Sequence, residues 1–136
     1  MCKKGDIILI EDCVDSGTPL GKHSFVVIED NAGRVAGIPF DFVGLVMSSF
    51  KDEEQKKRKL SYPGNMEIVP SGEVMNSGAH HKPGFIKADQ FYYFSKEKTS
   101  FSVIGSLTVE TLTLLFEFIE SLNEKGIDIR QILDNL

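Results

Sequence analysis

The stretch DIILIE, residues 6–11, is the first indication of the fold. Its four central residues are large and apolar, and a charged residue bounds the run on each side. The run is too short for a core helix and is rich in isoleucine, which is typical of a buried strand. We therefore expect the fold to open with a buried β-strand.

Further apolar runs along the chain predict more strands, because they combine β-branched and aromatic residues over short stretches bounded by turn formers. These runs are residues 24–28, 34–47, 66–69, 84–88 and 90–94. The second of them contains Pro39, so we expect a bulge or bend there. Residues 12–22 have loop composition. Residues 49–61 are almost wholly polar, which is typical of a solvated loop or a short exposed helix.

An amphipathic helix is predicted near the end of the chain. Its apolar residues recur at spacings of three and four: Val109, Leu112, Leu115, Phe116, Ile119 and Leu122. Thr108 is a suitable N-cap, Gly126 a suitable end, and Asp128 a suitable cap for a last short helix. We expect one domain over residues 1–136, mainly β with α, formed by a small barrel or highly bent sheet and a C-terminal amphipathic helix.

Composition excludes several classes of protein. Fifteen basic and twenty acidic residues among 136 give a net charge of −5, so any nucleic-acid site must be a local basic patch. Cys2 and Cys13 provide neither a metal quartet nor a disulfide framework. No apolar run approaches the roughly 18 residues of a membrane span, and no signal peptide is visible. We expect a cytoplasmic protein without a membrane partner.

Four short motifs occur in an order typical of one family. They are KGDII at residues 4–8, GKHSFVVI at 21–28, FIKADQ at 85–90 and IGSLTVE at 104–110. With these motifs the chain resembles the MazF/PemK family of toxin-type endoribonucleases. The resemblance implies an SH3-like small barrel of the CcdB/PemK/MazF type with a C-terminal helix, and a homodimer. It also implies cleavage of single-stranded RNA (mRNA) by 2′-hydroxyl attack, without metal or other cofactor, and an antitoxin protein as partner.

The resemblance also indicates the catalytic residues, with one departure. His23 occupies the position of the family's catalytic arginine, and Ser24 replaces the proline that follows it. A neutral imidazole cannot clamp an oxyanion as a guanidinium does, but it can exchange protons near neutral pH. His23 therefore either preserves acid–base chemistry, marks an altered site, or is an ordinary loop histidine. Ser48 lies in the family's Thr/Ser position, although Ser49 is only one residue away.

A dense basic run predicts contact with the RNA backbone. The candidate RNA-binding residues are Lys22, Lys51, Lys56, Lys57, Arg58, Lys59, His80 and His81. Clustered cations can hold several phosphates despite the net acidity of the chain. Alternatively, the basic run is a solvated segment offset by Asp52, Glu53 and Glu54, and the two histidines belong to a plain surface loop.

Two functions stay open from the sequence. The first is a metal-independent endoribonuclease with His23 and Ser48 at the reaction centre. The second is a non-catalytic SH3-like barrel that binds RNA or an antitoxin-like protein. Convergence of His23, Ser48 and the 51–59 segment on one groove would favour the first.

Overall fold

The computed structural model describes residues 2–76 and 82–136. The strands of this part are β1 (Asp6–Asp15), β2 (Thr18–Glu29), β3 (Gly33–Val35), β4 (Ile38–Phe40), β5 (Phe42–Ser49), β6 (Asn65–Ile68), β7 (Met75–Asn76), β8 (Gly84–Lys87), β9 (Gln90–Phe94), β10 (Phe101–Leu107) and β11 (Arg130–Ile132). Its helices are α1 (Glu53–Leu60) and α2 (Val109–Glu124). The expectation of a mainly β fold with a C-terminal amphipathic helix is confirmed.

The sheet is strongly curled and forms a half-barrel. Within the described residues its strand order is β11-β9-β5-β2-β1-β10-β7, and β8 joins β5 to β6. Every pairing in it is antiparallel except that of β11 with β9. β5 pairs with β9 through its first residues and with β8 through Met47–Ser49, so the sheet branches at β5.

Both faces of the central strands are covered, which explains the unbroken apolar run that begins β1. Ile7, Val26 and Leu45 lie in one buried cluster with the α2 residues Leu115 and Leu122. The alternate residues of the same strands lie in a second cluster, which contains Ile8, Ile10, Phe25, Val46 and Tyr92. Because successive side chains point to opposite faces, a strand buried on both sides needs apolar residues at every position.

The loop predicted over residues 12–22 is instead a β-hairpin. β1 and β2 extend to Asp15 and Thr18 and pair there. Ser16 and Gly17, at the turn, have φ angles of 51° and 80°. Two positive φ values are the signature of a two-residue hairpin turn whose twist matches that of the strands. Residues 16–18 at its tip are exposed to solvent, which explains the polar composition of the turn.

The single bent strand predicted over residues 34–47 is also wrong. β3 and β4 form a small hairpin, and β5 follows as a separate strand. The turn residues Ala36 and Gly37 have φ angles of 50° and 79°. The chain therefore reverses before Pro39 rather than bending at it.

At the end of the chain, α2 confirms the predicted helix. Thr108 is its N-cap and accepts a hydrogen bond from the Thr111 backbone N–H. The predicted last short helix is wrong, because Arg130–Ile132 add to the sheet as β11, in parallel pairing with β9. Strand β10 (Phe101–Leu107) lies in a stretch for which the sequence predicted no strand. No helix in the described part is long and apolar enough to cross a bilayer.

Candidate functional site

One open cleft contains both residues for which the sequence predicts a catalytic role. His23 on β2 and Ser48 on β5 line this cleft, whose volume is about 290 Å³, and we call it the His23 cleft. Its lining residues are Asp15, Leu20, His23, Val46, Ser48, Ser49, Lys51, Gln55, Lys59, Phe85, Lys87 and Tyr92. The cleft thus combines imidazole, hydroxyl and ammonium groups over a partly apolar floor.

The register between β2 and β5 explains why His23 and Ser48 share the cleft. The ladder ends with Ser24 opposite Met47. One further step in the same register places His23 opposite Ser48, and residues opposite each other point to the same face of a sheet. Ser49 falls on the other face by alternation, although it also lines the cleft where β5 ends. Ser48 is therefore the hydroxyl that shares a sheet face with His23.

Helix α1 divides the basic run into two groups. Asp52 caps the helix by accepting a hydrogen bond from the Gln55 backbone N–H at 2.7 Å. Gln55 and Lys59 are four residues apart, so they lie on one helix face, and both line the cleft. Lys57 and Arg58 are exposed and are absent from the lining. Cations that are neighbours in the sequence therefore lie inside or outside the cleft, depending on the face of α1 that they occupy.

Two other predicted RNA-binding residues, Lys22 and Lys56, lie outside the cleft lining. Lys22 is exposed, and strand alternation directs it away from the face of His23. The Lys56 ammonium lies 3.4 Å from a Glu67 carboxylate oxygen, in an ion pair outside the cleft lining. His80 and His81 lie outside the described residues.

The cleft has a positive charge that is available to a ligand. Lys51, Lys59 and Lys87 all line it. Within residues 2–76 and 82–136, none of the three has an acidic partner at ion-pair distance. Lys87 was not among the residues predicted to bind RNA, and it reaches the cleft because β8 pairs with β5 beside Ser48. Three lysines around one concave site favour an anionic ligand.

His23 has a buried ring nitrogen for which the described residues provide no hydrogen-bond partner. Its Nδ1 atom is buried and makes no hydrogen bond within the part of the chain that the structure describes. Catalytic histidines are commonly oriented by an acceptor on the second ring nitrogen. The ring is thus held by its strand and by packing rather than by such an acceptor.

A hydrogen-bond network that the sequence did not predict borders the cleft. The Arg130 guanidinium binds both carboxylate oxygens of Asp15, with Nη1 at 3.2 Å from Oδ2, and also donates to Ser16. The Tyr92 hydroxyl donates to Asp15 Oδ2 at 3.4 Å. Burial, and next the Asp15 charge, raise the pKa of Tyr92 above its ordinary range. Tyr92 therefore stays protonated and acts as a donor.

The same network determines the charge state of Asp15. Burial alone would raise the pKa of this carboxyl, but the hydrogen bonds from Arg130 and Ser16 and the Arg130 charge outweigh it. The result is a pKa below the ordinary value. Asp15 is therefore a paired, ionised group rather than a free general base.

Asp15 makes stability depend on pH in a predictable direction. Because its pKa is lowered by folding, its contribution is present above the unfolded pKa of about 3.9 and is lost as pH falls through the folded value. We expect Asp15→Asn to lower the melting temperature at pH 7, and the difference from wild type to shrink below about pH 4. Thermal melts at several pH values measure this. An equal difference at all pH values would contradict it.

Among the described residues, no group of three or more His, Cys, Asp or Glu side chains is placed to hold a metal ion. The sequence matches no protein-family model and no curated protein.

Proposed function

We propose that this chain is a metal-independent endoribonuclease of the MazF/PemK type, and that single-stranded RNA binds in the His23 cleft. The observation that carries the proposal is the convergence of His23, Ser48 and three lysines on one concave surface. These residues come from β2, β5, β8, α1 and the turn before α1. Five separate parts of the chain thus contribute to one site.

The chemistry of the cleft matches the needs of RNA cleavage. The 2′-hydroxyl attacks the adjacent phosphorus and loses its proton to His23, which gives a phosphorane. The bond from phosphorus to the 5′-oxygen then breaks. The leaving 5′-oxygen takes a proton from a lysine ammonium of the cleft or from solvent. The products are a 2′,3′-cyclic phosphate and a 5′-hydroxyl. Lysine charges and the Ser48 hydroxyl stabilise the negative phosphorane between these steps.

The size of the cleft favours a single strand as the ligand. Its volume of about 290 Å³ is close to the lower end of ligand pockets, which begin at about 300 Å³. Such a space suits one nucleotide whose base is unstacked, and proteins recognise RNA sequence mainly in unpaired segments of this kind.

The test is incubation of the folded protein with single-stranded RNA in EDTA. A matched RNA with 2′-O-methyl groups lacks the attacking hydroxyl, so it must stay intact. We expect discrete fragments from the first RNA alone, with cyclic phosphate and 5′-hydroxyl ends. Intact RNA in both tubes, or fragments from the methylated RNA, would contradict the proposed reaction.

The position of the lysines predicts a difference between two matched variants. Lys51→Gln with Lys59→Gln removes two cleft charges, whereas Lys57→Gln with Arg58→Gln removes two charges from outside the cleft. We expect the first pair to weaken RNA binding and to reduce the salt dependence of the logarithm of the binding constant by roughly 0.7 per lost phosphate contact. Fluorescence anisotropy at several salt concentrations measures this. Equal effects of the two variants would contradict the prediction, because charges inside and outside the cleft would then contribute alike to RNA binding.

A second candidate function is RNA binding without cleavage. The buried Nδ1 of His23 favours it, because no acceptor among the described residues orients the ring as a proton-transfer group. Binding of single-stranded RNA that persists without any cleavage would select this function.

The proposal also includes two protein partners, a second copy of the chain and an antitoxin protein. Val103 and Leu114 are large apolar side chains about half exposed, and Val109 is 77% exposed. Light scattering of the purified protein tests the homodimer directly, because a monomeric mass would contradict it.

A further inference from the structure

The C-terminal segment holds the tip of the β1–β2 hairpin, which forms one wall of the His23 cleft. The Asn135 side chain accepts from the backbone N–H of Val14 and donates to its carbonyl, both at 2.9 Å. Asp134 accepts from the Gly17 backbone N–H at 2.8 Å. These contacts join residues more than 110 positions apart in the sequence. The wall of the cleft thus has a fixed place relative to β11.

Within this wall Asp15 is the acidic residue that faces the cleft. Its side chain is 19% exposed, and it shares the lining with three lysines that have no acidic partner among the described residues. A carboxylate in this position opposes the binding of an anion. It also attracts the lysine ammonium groups on which such an anion depends.

Arg130 balances the negative charge of Asp15. It binds both oxygens of Asp15 in the paired geometry that guanidinium and carboxylate groups favour, yet it does not line the cleft. Its own side chain is 46% exposed. The pairing leaves the lysine charges without a competing carboxylate.

We propose that Arg130 controls the affinity of the His23 cleft for RNA by neutralising Asp15, without itself contacting the RNA. The inference rests on the proposed function, because it takes single-stranded RNA as the ligand. It assigns a role to a residue from the far end of the chain, outside the motifs that suggested a nuclease. Arg130 is in this sense a positioning residue that acts through Asp15.

The experiment measures the binding of a 2′-O-methyl RNA oligonucleotide, which cannot be cleaved through its 2′-oxygen. The variants are Arg130→Gln, Asp15→Asn and the two together, and circular dichroism verifies that each is folded. Arg130→Gln leaves the carboxylate unbalanced, so we expect binding about tenfold weaker than wild type. The double variant removes the carboxylate as well, and we expect its affinity to return to within about twofold of wild type.

A fourth variant keeps the proposal testable if Arg130→Gln fails to fold. Arg130→Lys retains the charge while it loses the planar fork, and we expect it to bind RNA nearly as well as wild type. A loss of affinity in this variant equal to that expected of Arg130→Gln would overturn the proposal, since charge would not be the property that matters.

The remaining outcomes separate this inference from the proposed function. Weak binding by Arg130→Gln that Asp15→Asn does not restore would mean direct contact with RNA or a structural role, and would overturn the inference alone. The expected pattern together with no cleavage of ordinary RNA would support the inference and overturn the nuclease. No binding by folded wild-type protein would overturn both.

Discussion

Replacement of His23 by alanine is expected to slow the cleavage of single-stranded RNA by about 100-fold or more, because a positioned proton-transfer group usually contributes that much. Among the residues that the structure describes, His23 is the only histidine of the cleft lining, and the register that pairs Ser24 with Met47 places it beside Ser48 on the neighbouring strand. Alanine keeps the strand and the lysine charges, so RNA binding should change far less than the cleavage rate. Single-turnover kinetics at saturating protein separate the two effects.

The matched variant for this prediction is His23→Arg, which installs the residue that the MazF/PemK resemblance leads one to expect. Arginine keeps a positive charge but does not exchange protons near neutral pH. If His23 transfers a proton, the arginine variant should be nearly as slow as the alanine variant. Activity equal to or above that of wild type in His23→Arg would instead show that the position supplies charge.

The local sequence pattern predicted the strands and the helix whose side chains fill the two buried clusters. The DIILIE run is a strand because both of its faces are covered, and α2 follows its apolar spacing. Elements that depend on tight turns were missed. Ser16-Gly17 and Ala36-Gly37 reverse the chain through two consecutive positive φ angles, and neither pair has a composition that separates it from an ordinary loop. The SH3-like type of barrel stays a prediction.

The site was predictable only where its residues lie in motifs. His23 and Ser48 came from the resemblance, and Lys51 and Lys59 came from the basic run. Helix α1 determines which cations of that run line the cleft. The sequence left open whether this segment is a helix or a loop. Asp15 meets Tyr92 and Arg130 across 77 and 115 residues of sequence. No local pattern encodes contacts over such separations, because they arise from the curling of the sheet.

Gly84→Ala is expected to destabilise the protein by about 3 kcal/mol, at the upper end of overpacking effects. A Cβ atom at this position would overlap the Ser48 carbonyl oxygen and lie 2.9 Å from the Ser48 carbonyl carbon and 3.1 Å from the Ser49 Cα atom. These are backbone atoms of the neighbouring strand, so no side-chain rotation relieves the contact. β5 and β8 must separate where Gly84 pairs with Ser49.

The same separation should reach the cleft, because Ser48 and Lys87 lie on the two strands that are forced apart. We therefore expect Gly84→Ala to lower both the free energy of unfolding, measured by urea denaturation, and the RNA affinity of the protein that remains folded. Gly72→Ala is the control, since a Cβ atom there has no neighbour within 4 Å. Equal stability of the two variants would mean that β5 and β8 do not approach each other as closely as the branched sheet requires.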